Sequence, residues 1–220
     1  MGYSLNFSAV WRSFDQLLAG LGLSLALAVG AIFIGCVIGL FVAFALRAKT
    51  AWLRRPAALY VTAIRNTPIL VLILFVYFAL PQLGVRLGKI DSFVATLALY
   101  SGAYLAEVFR AGLTAVPPGQ REAGLAIGLT EMQIRTSIIV PIMLRNVLPS
   151  LSSTFISLFK DTSLAAAIAV PELTFEARKI NVETFRVIET WIVASCLYVA
   201  TCAVLAALMR RVERRLAVPR

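Results

Sequence analysis

GLGLSLALAVGAIFIGCVIGLFVAFAL, residues 20–46, holds no charged side chain and no proline. A helix needs about 20 largely apolar residues to cross the hydrocarbon of a bilayer. Extended to 17–46, this stretch is long enough to do so. It is rich in Gly and Ala, the residues that let helix backbones approach closely in lipid. Reading it as a membrane span decides the fold class, because the rest of the chain must then be arranged around it. The composition agrees. Of 220 residues, 60% are hydrophobic and 15% charged, with a mean hydropathy of +0.87. Soluble domains run nearer half apolar and a quarter charged.

Working outward, a basic loop follows, RAKTAWLRRP at residues 47–56. The next apolar run, ILVLILFVYFAL, is too short to span alone. The expected second span is therefore 60–80, which draws Arg65, Asn66 and Thr67 into or near the membrane. The remaining expected spans are 92–113, 141–159 and 187–209. Between the last two, SLAAAIAVPEL reads as a re-entrant or surface helix. These spans make one transmembrane domain over residues 1–220, all-α, with no second domain and no internal repeat. The N-terminus lacks the pattern of a removable signal peptide.

Five spans put the termini on opposite sides. One side collects Arg47, Lys49, Arg54, Arg55, Arg121, Arg135, Arg145 and the C-terminal arginines through Arg220. The other collects Arg12, Arg86, Lys89, Lys160, Arg178, Lys179 and Arg186. Basic residues accumulate on the cytoplasmic side, so the N-terminus is expected outside and the C-terminus in the cytoplasm.

The net charge of +10 thus reads as topology rather than nucleic-acid binding, since no basic patch is interleaved with aromatics. The chain has no histidine, which removes His-based metal sites and Ser-His-Asp triads. Cys36, Cys196 and Cys202 lie in apolar runs without metal-ligand spacing. No catalytic residue, metal site or disulfide is expected.

The exception to this plan of spans and short loops is 117–140, expected on the cytoplasmic face. Its core and exit read REAGLAIGLTEMQIRTSIIVP over residues 121–141. Pro117 and Pro118 end the preceding span, and Glu122 opens a short helix whose Ala123, Gly124 and Ala126 leave a low surface. Gly128 suits a left-handed helix end. Thr130 caps a second helix, 131–140, with Glu131 in its first turn, and Pro141 opens the next span. The result is a helix–turn–helix elbow. On shape alone, an interfacial loop without a partner fits as well as a docking element.

The spacing separates these. Glu122-Ala123-Gly124, three residues, Gly128, nine residues, Ile138, one residue, Val140-Pro141 resembles the Glu-Ala-Ala coupling loop of ABC-importer permeases. Gly124 stands where that pattern has a second Ala, and Val140 where it has Leu. RNTPILVLILFVYFALP, AYLAEVFRAGLTAVPPGQREAGLAIGLT and LFKDTSLAAAI also resemble, in order, the polar amino acid permeases of the histidine, glutamine and arginine type. The resemblance implies the type I importer permease architecture of five transmembrane helices. It implies a second permease copy or paralogue and two cytoplasmic ATPase subunits that bind ATP and Mg. It also implies a soluble extracytoplasmic amino acid binding protein and a place in a bacterial inner membrane. The elbow would seat in a cleft of the ATPase, with Glu122 offering a carboxylate. The chain has no GxxxxGK[ST] loop, so by that route ATP is bound by the partner. Permeases for other small solutes (an opine, methionine) and a non-transporting scaffold remain as other readings.

Charge inside a membrane marks a functional site by default. Arg65 and Glu107 should lie at similar depth and pair, directly or with Arg110 in a network. The pair is either an inner gate or simple neutralisation of a snorkelling arginine. In Lys160-Asp161-Thr162-Ser163, Asp161 reads as a helix N-cap. There Thr162, Ser163 and the helix end could take a substrate carboxylate and Asp161 its ammonium, or the group could be a cap alone. Tyr104, with Tyr100, could line the same path. An integral-membrane enzyme would need a cluster of acids or histidines, and Glu107 is the only carboxylate deep in an expected span.

Overall fold

The computed structural model describes residues 4–216. Arg220, assigned to the basic side, and residues 1–3 of the segment read as lacking a leader lie outside them. The described residues are helical, without strands. The chain order is α1 (Ser8–Arg12), α2 (Phe14–Leu46), α3 (Ala51–Arg65), α4 (Ile69–Leu74), α5 (Lys89–Thr114), α6 (Pro118–Ala126), α7 (Glu131–Ile134), α8 (Val140–Asp161), α9 (Leu173–Thr184) and α10 (Val187–Leu216). Among the described residues, four stretches are long and apolar enough to cross a membrane: Phe14–Leu46, Lys89–Thr114, Glu131–Ile168 and Val187–Arg215. The bent pair Ala51–Arg65 and Ile69–Leu83, counted as one span, makes the fifth.

The α2–α5 pair is the spine. One stripe of α2 is buried and small: Gly20, Ser24, Ala28, Ala31, Gly35, Gly39 and Ala43. That spacing of three or four keeps one face inward, toward the start of α9 at Gly20 and Ser24 and toward α5 at Ala31, Gly35 and Gly39. A Cβ on Gly39 would stand 2.8 Å from the Leu105 Cβ and 3.0 Å from the Ala106 nitrogen. Only glycine permits so close an approach. Gly35 meets Ser101 and Gly39 meets Leu105, so the two helices run parallel. The opposite face of α2, with Val29, Phe33 and Phe41, is exposed, as suits contact with lipid. α8 returns antiparallel to α5. Its Met143 and Val147 crowd Gly112 near the elbow, while Leu158 joins Phe93 and Leu97 at the far end.

Two expected span boundaries are corrected. The second span does not run straight through 60–80. Residues 60–65 end α3, and the chain bends by 102° before α4. Pro68 has no N–H and disfavours helix at the residue before it, so a helix drawn through it to reach spanning length breaks there. Asn66 Nδ2 donates to the Thr62 carbonyl at 2.7 Å, and Thr67 Oγ1 to the Ala63 carbonyl at 2.8 Å. The Thr67 hydroxyl thus satisfies the Ala63 carbonyl that the break frees, since the Thr67 N–H turns to Ile64, while the Thr62 carbonyl keeps the Asn66 N–H and gains its side chain as a second donor. The fourth span, expected over 141–159, is part of a longer path. Helical structure continues from Glu131 to Ile168, so the second arm of the elbow and the span are one rod. Pro141 does not interrupt it because a π-helical turn, Arg135–Ile139, precedes it. A second π-helical turn, Phe75–Ala79, precedes Pro81 in the same way. A wider turn relieves the clash between a proline ring and the carbonyl four residues earlier.

Candidate coupling elbow and transport cleft

At the elbow, α6 ends in a Schellman motif. Gly128 N–H donates to the Leu125 carbonyl and Leu129 N–H to the Gly124 carbonyl, at 3.0 and 3.1 Å. Gly128 has φ +79°, the left-handed geometry read from its sequence. Thr130 caps α7 in a full capping box with Gln133, as expected in kind. Arg121 and Glu131 form a salt bridge that staples the two arms.

Gly124 does not serve the low outer surface expected of it. It is buried, and a Cβ there would lie 2.8 Å from Ile134 Cγ1 and 3.2 Å from Ile138 Cδ1. The structure therefore brings Gly124 and Ile138 together inside the elbow, where the glycine lets the arms close. Pro141 is half-buried at the exit. Glu122 and Ala123 are exposed. With them stand Leu125, Ile127 (75% exposed) and Met132 (68% exposed), an apolar surface the sequence reading missed. Its signal was present: large apolar residues on both sides of a glycine turn with no room inside for all of them.

The structure brings Arg65, Glu107 and Arg110 together. Arg110 donates to Glu107 through Nε at 3.2 Å and Nη2 at 2.7 Å. Arg65 Nη1 lies 3.9 Å from Glu107 Oε2. Its guanidinium carbon sits 5.2 Å from the Tyr104 ring centroid, within range for a cation–π contact. Tyr100 donates to the Tyr104 hydroxyl at 3.1 Å. A cleft of about 350 Å³ opens between α3 and α5, lined by Val61, Thr62, Arg65, Asn66, Tyr104 and Glu107. A second, of about 440 Å³, lies on the other side of Glu107 and reaches Asn146 and Ser150 on α8.

Asp161 is not a helix N-cap. It is the last residue of α8, with helical φ −64° and ψ −17° and no capping bond, and the chain continues into a 3-10 turn, Thr162–Ile168. No free helix N-terminus exists there to receive a carboxylate. Thr162 is buried and its hydroxyl donates back to the Phe159 carbonyl at 2.7 Å. Ser163 and Asp161 are half-buried.

The cap lies eleven residues on, and the sequence reading missed it. Glu172, fully buried, caps α9 by accepting from the Phe175 N–H at 2.9 Å. It also accepts from Tyr198 at 3.0 Å and Ser24 at 3.2 Å, which binds α2, α9 and α10 together. Gly20 passes close by, where a Cβ would stand 3.0 Å from the backbone of Glu172 and Leu173. Glu172 lies between spans. Burial holds its carboxyl above the usual range, and the donors from Phe175, Tyr198 and Ser24 offset that only in part.

Residues 35–218 match the family model "Binding-protein-dependent transport system inner membrane component". The chain belongs to this family. It is 37% identical over 214 residues to the glutamine transport system permease protein GlnP of Escherichia coli (strain K12), covering 96% of this chain and 97% of that one. It is 35% identical over 218 residues to the L-cystine transport system permease protein TcyB of Bacillus subtilis (strain 168), covering 98% and 93%. Among solved structures it resembles an amino acid ABC transporter crystallised with histidines, at TM-score 0.89 and 32% identity over 97% of this chain and 100% of that one. The chain is thus a multi-pass inner-membrane component with the permease fold.

Proposed function

We propose that this chain is the permease subunit of an ATP-driven importer for polar amino acids. One observation carries the reading. A stapled elbow that is one rod with a membrane span presents Glu122, Ala123, Ile127 and Met132 outward at one end of a five-span bundle. That is the form a lever between a membrane pathway and a soluble motor must take. The near full-length similarity to glutamine and cystine permeases supports the substrate class.

The elbow faces the cytoplasm and the N-terminus lies outside. Two ATPase subunits bind ATP and Mg²⁺ and dock on the elbow. A second permease, identical or paralogous, completes the pathway, and an extracytoplasmic binding protein delivers the substrate. In the cleft, Arg65 is the cation with remaining capacity, because Arg110 already satisfies Glu107. Arg65 takes the substrate carboxylate, Tyr104 flanks it, and Asp161 faces the ammonium with Ser163 beside it. Thr162 is spent on the backbone and orders the turn.

The test is co-purification followed by reconstitution. Expressed with the genes beside it, the native chain should bring down an ATPase and, in proteoliposomes, take up glutamine or another polar amino acid only with ATP and the binding protein. Glu122→Arg should release the ATPase while the chain stays folded. If no ATPase accompanies the native chain, the importer reading fails.

A further inference from the structure

We propose that the first turn of α3 is a binding site for the headgroup of an anionic phospholipid, with Arg54 and Arg55 on the phosphate and Trp52 seated in the interfacial layer beside it. Trp52 is 88% exposed, above every other large apolar side chain described. Leu59 is on the same helical face and exposed, while Ala57 and Val61 on the opposite face are buried against the bundle. Arg54 and Arg55 are exposed and in no ion pair among the described residues. No acidic residue occurs between Asp15 and Asp91, so this part of the chain has no counter-ion of its own. Of the other basic groups of this end, Lys49, Arg135 and Arg145 are likewise in no ion pair among the described residues, but Lys49 precedes the helix, neither arginine has a tryptophan near it in the sequence, and three more are engaged. Arg47 donates to Thr114, Arg110 to Glu107, and Arg121 is paired with Glu131.

Position names the occupant. Leu46 ends a span, Arg47 and Lys49 follow, and α3 begins at Ala51. Trp52 therefore sits one short loop from the end of a hydrophobic rod, at the depth where tryptophan gathers in membrane proteins. Arg55, three residues on from Trp52, shares its face, and Arg54 flanks Arg55 one residue before, which fits a phosphate above acyl chains, and the unbalanced positive charge selects headgroups that are net negative. The inference rests on the membrane reading of the fold and not on the transported substrate.

The experiment uses the chain with its co-purified partner subunits, carrying Trp11→Phe and Trp191→Phe so that Trp52 is its only tryptophan. It is reconstituted into vesicles holding a small, equal mole fraction of brominated phosphatidylglycerol or brominated phosphatidylcholine, and quenching of chain fluorescence is read against partner subunits alone. Enrichment on the order of tenfold is expected near two arginines, so phosphatidylglycerol should quench severalfold more. Arg54→Gln with Arg55→Gln should make the two lipids equal. Equal quenching in the native pair, or a phosphatidylglycerol preference that survives the double substitution, overturns the proposal. Weak quenching by both lipids also overturns it and shows that a protein surface covers Trp52. None of these results depends on which amino acid is carried.

Discussion

Glu172 and Glu107 are both carboxylates in an apolar bundle, and their surroundings are opposite. Glu172 is closed off, with donors from three helices and no exposed surface. Glu107 is held from one side by Arg110 and stands between two clefts, its side chain 26% exposed. A buried polar group whose partners all come from the protein serves the fold, because any loss leaves donors stranded. A charge with partners to spare and an open face is available to something that enters. A carboxylate inside the bundle is thus not by itself evidence of a pathway; the open side is.

The largest effect should come from breaking the closed cluster. Glu172→Ala strands the Phe175 N–H and unties three helices, though the Ser24 hydroxyl keeps the Gly20 carbonyl and Tyr198 keeps Thr174, and it should cost about 2 kcal/mol or more of stability. Thermal unfolding in detergent would show it, and uptake should fall only as far as folded protein is lost. Uptake lost at unchanged stability would move Glu172 into the pathway.

Next comes the open cluster. Glu107→Ala should lower uptake by tenfold or more while moving stability by under about 1 kcal/mol, because its partners Arg65 and Arg110 are half-exposed and screened. A swap of Arg65→Glu with Glu107→Arg in one chain tests for a simple pair. The geometry predicts no rescue, since Arg110 would then face a like charge and the 3.9 Å contact is the looser of the two. Full rescue would make the pair a structural unit like Glu172.

Of this contrast, only the open half was legible beforehand. Arg65 and Glu107 announced themselves because each is the odd charge in an apolar run, and equal depth follows from counting along the spans. Glu172 sits in a segment of mixed polarity, PELTFEARK, where an acid looks like ordinary loop chemistry. Its partners are 148 and 26 residues away. Asp161 was read as a cap for the same local reason, and the helix simply continued through it. Spans one, three and five were readable because periodicity and length suffice there. The second was not, because a break at Asn66-Thr67-Pro68 is tolerable only where neighbouring side chains repair it. The elbow's turn and cap were local and readable; the burial of Gly124 depended on how the arms fold together.

The titration of Glu172 should give a smaller effect. Its folded pKa is raised by burial, so the stability it lends is complete below the unfolded value, near 4, and is lost as pH rises through the folded one. The native chain should therefore melt at progressively lower temperature as pH rises above about 4. Glu172→Gln, which cannot ionise, should flatten that slope. A slope that survives the substitution would place the titrating group elsewhere.

The finest test stays within the open cleft and separates ring from hydroxyl at Tyr104. Tyr104→Phe keeps the ring under Arg65 and removes only the acceptor of the 3.1 Å bond from Tyr100. Tyr104→Leu removes the ring as well. If the ring orients Arg65 toward an entering carboxylate, Phe should leave uptake within about twofold and Leu should lower it further, by an amount matching an exposed cation–π contact of about 0.5–1 kcal/mol. The loss should fall on apparent affinity rather than maximal rate, because an orienting contact acts on binding. Equal losses for Phe and Leu would assign the role to the tyrosine hydroxyl pair. A loss of folded protein in both would mean that the cleft wall, like the Glu172 cluster, is structural.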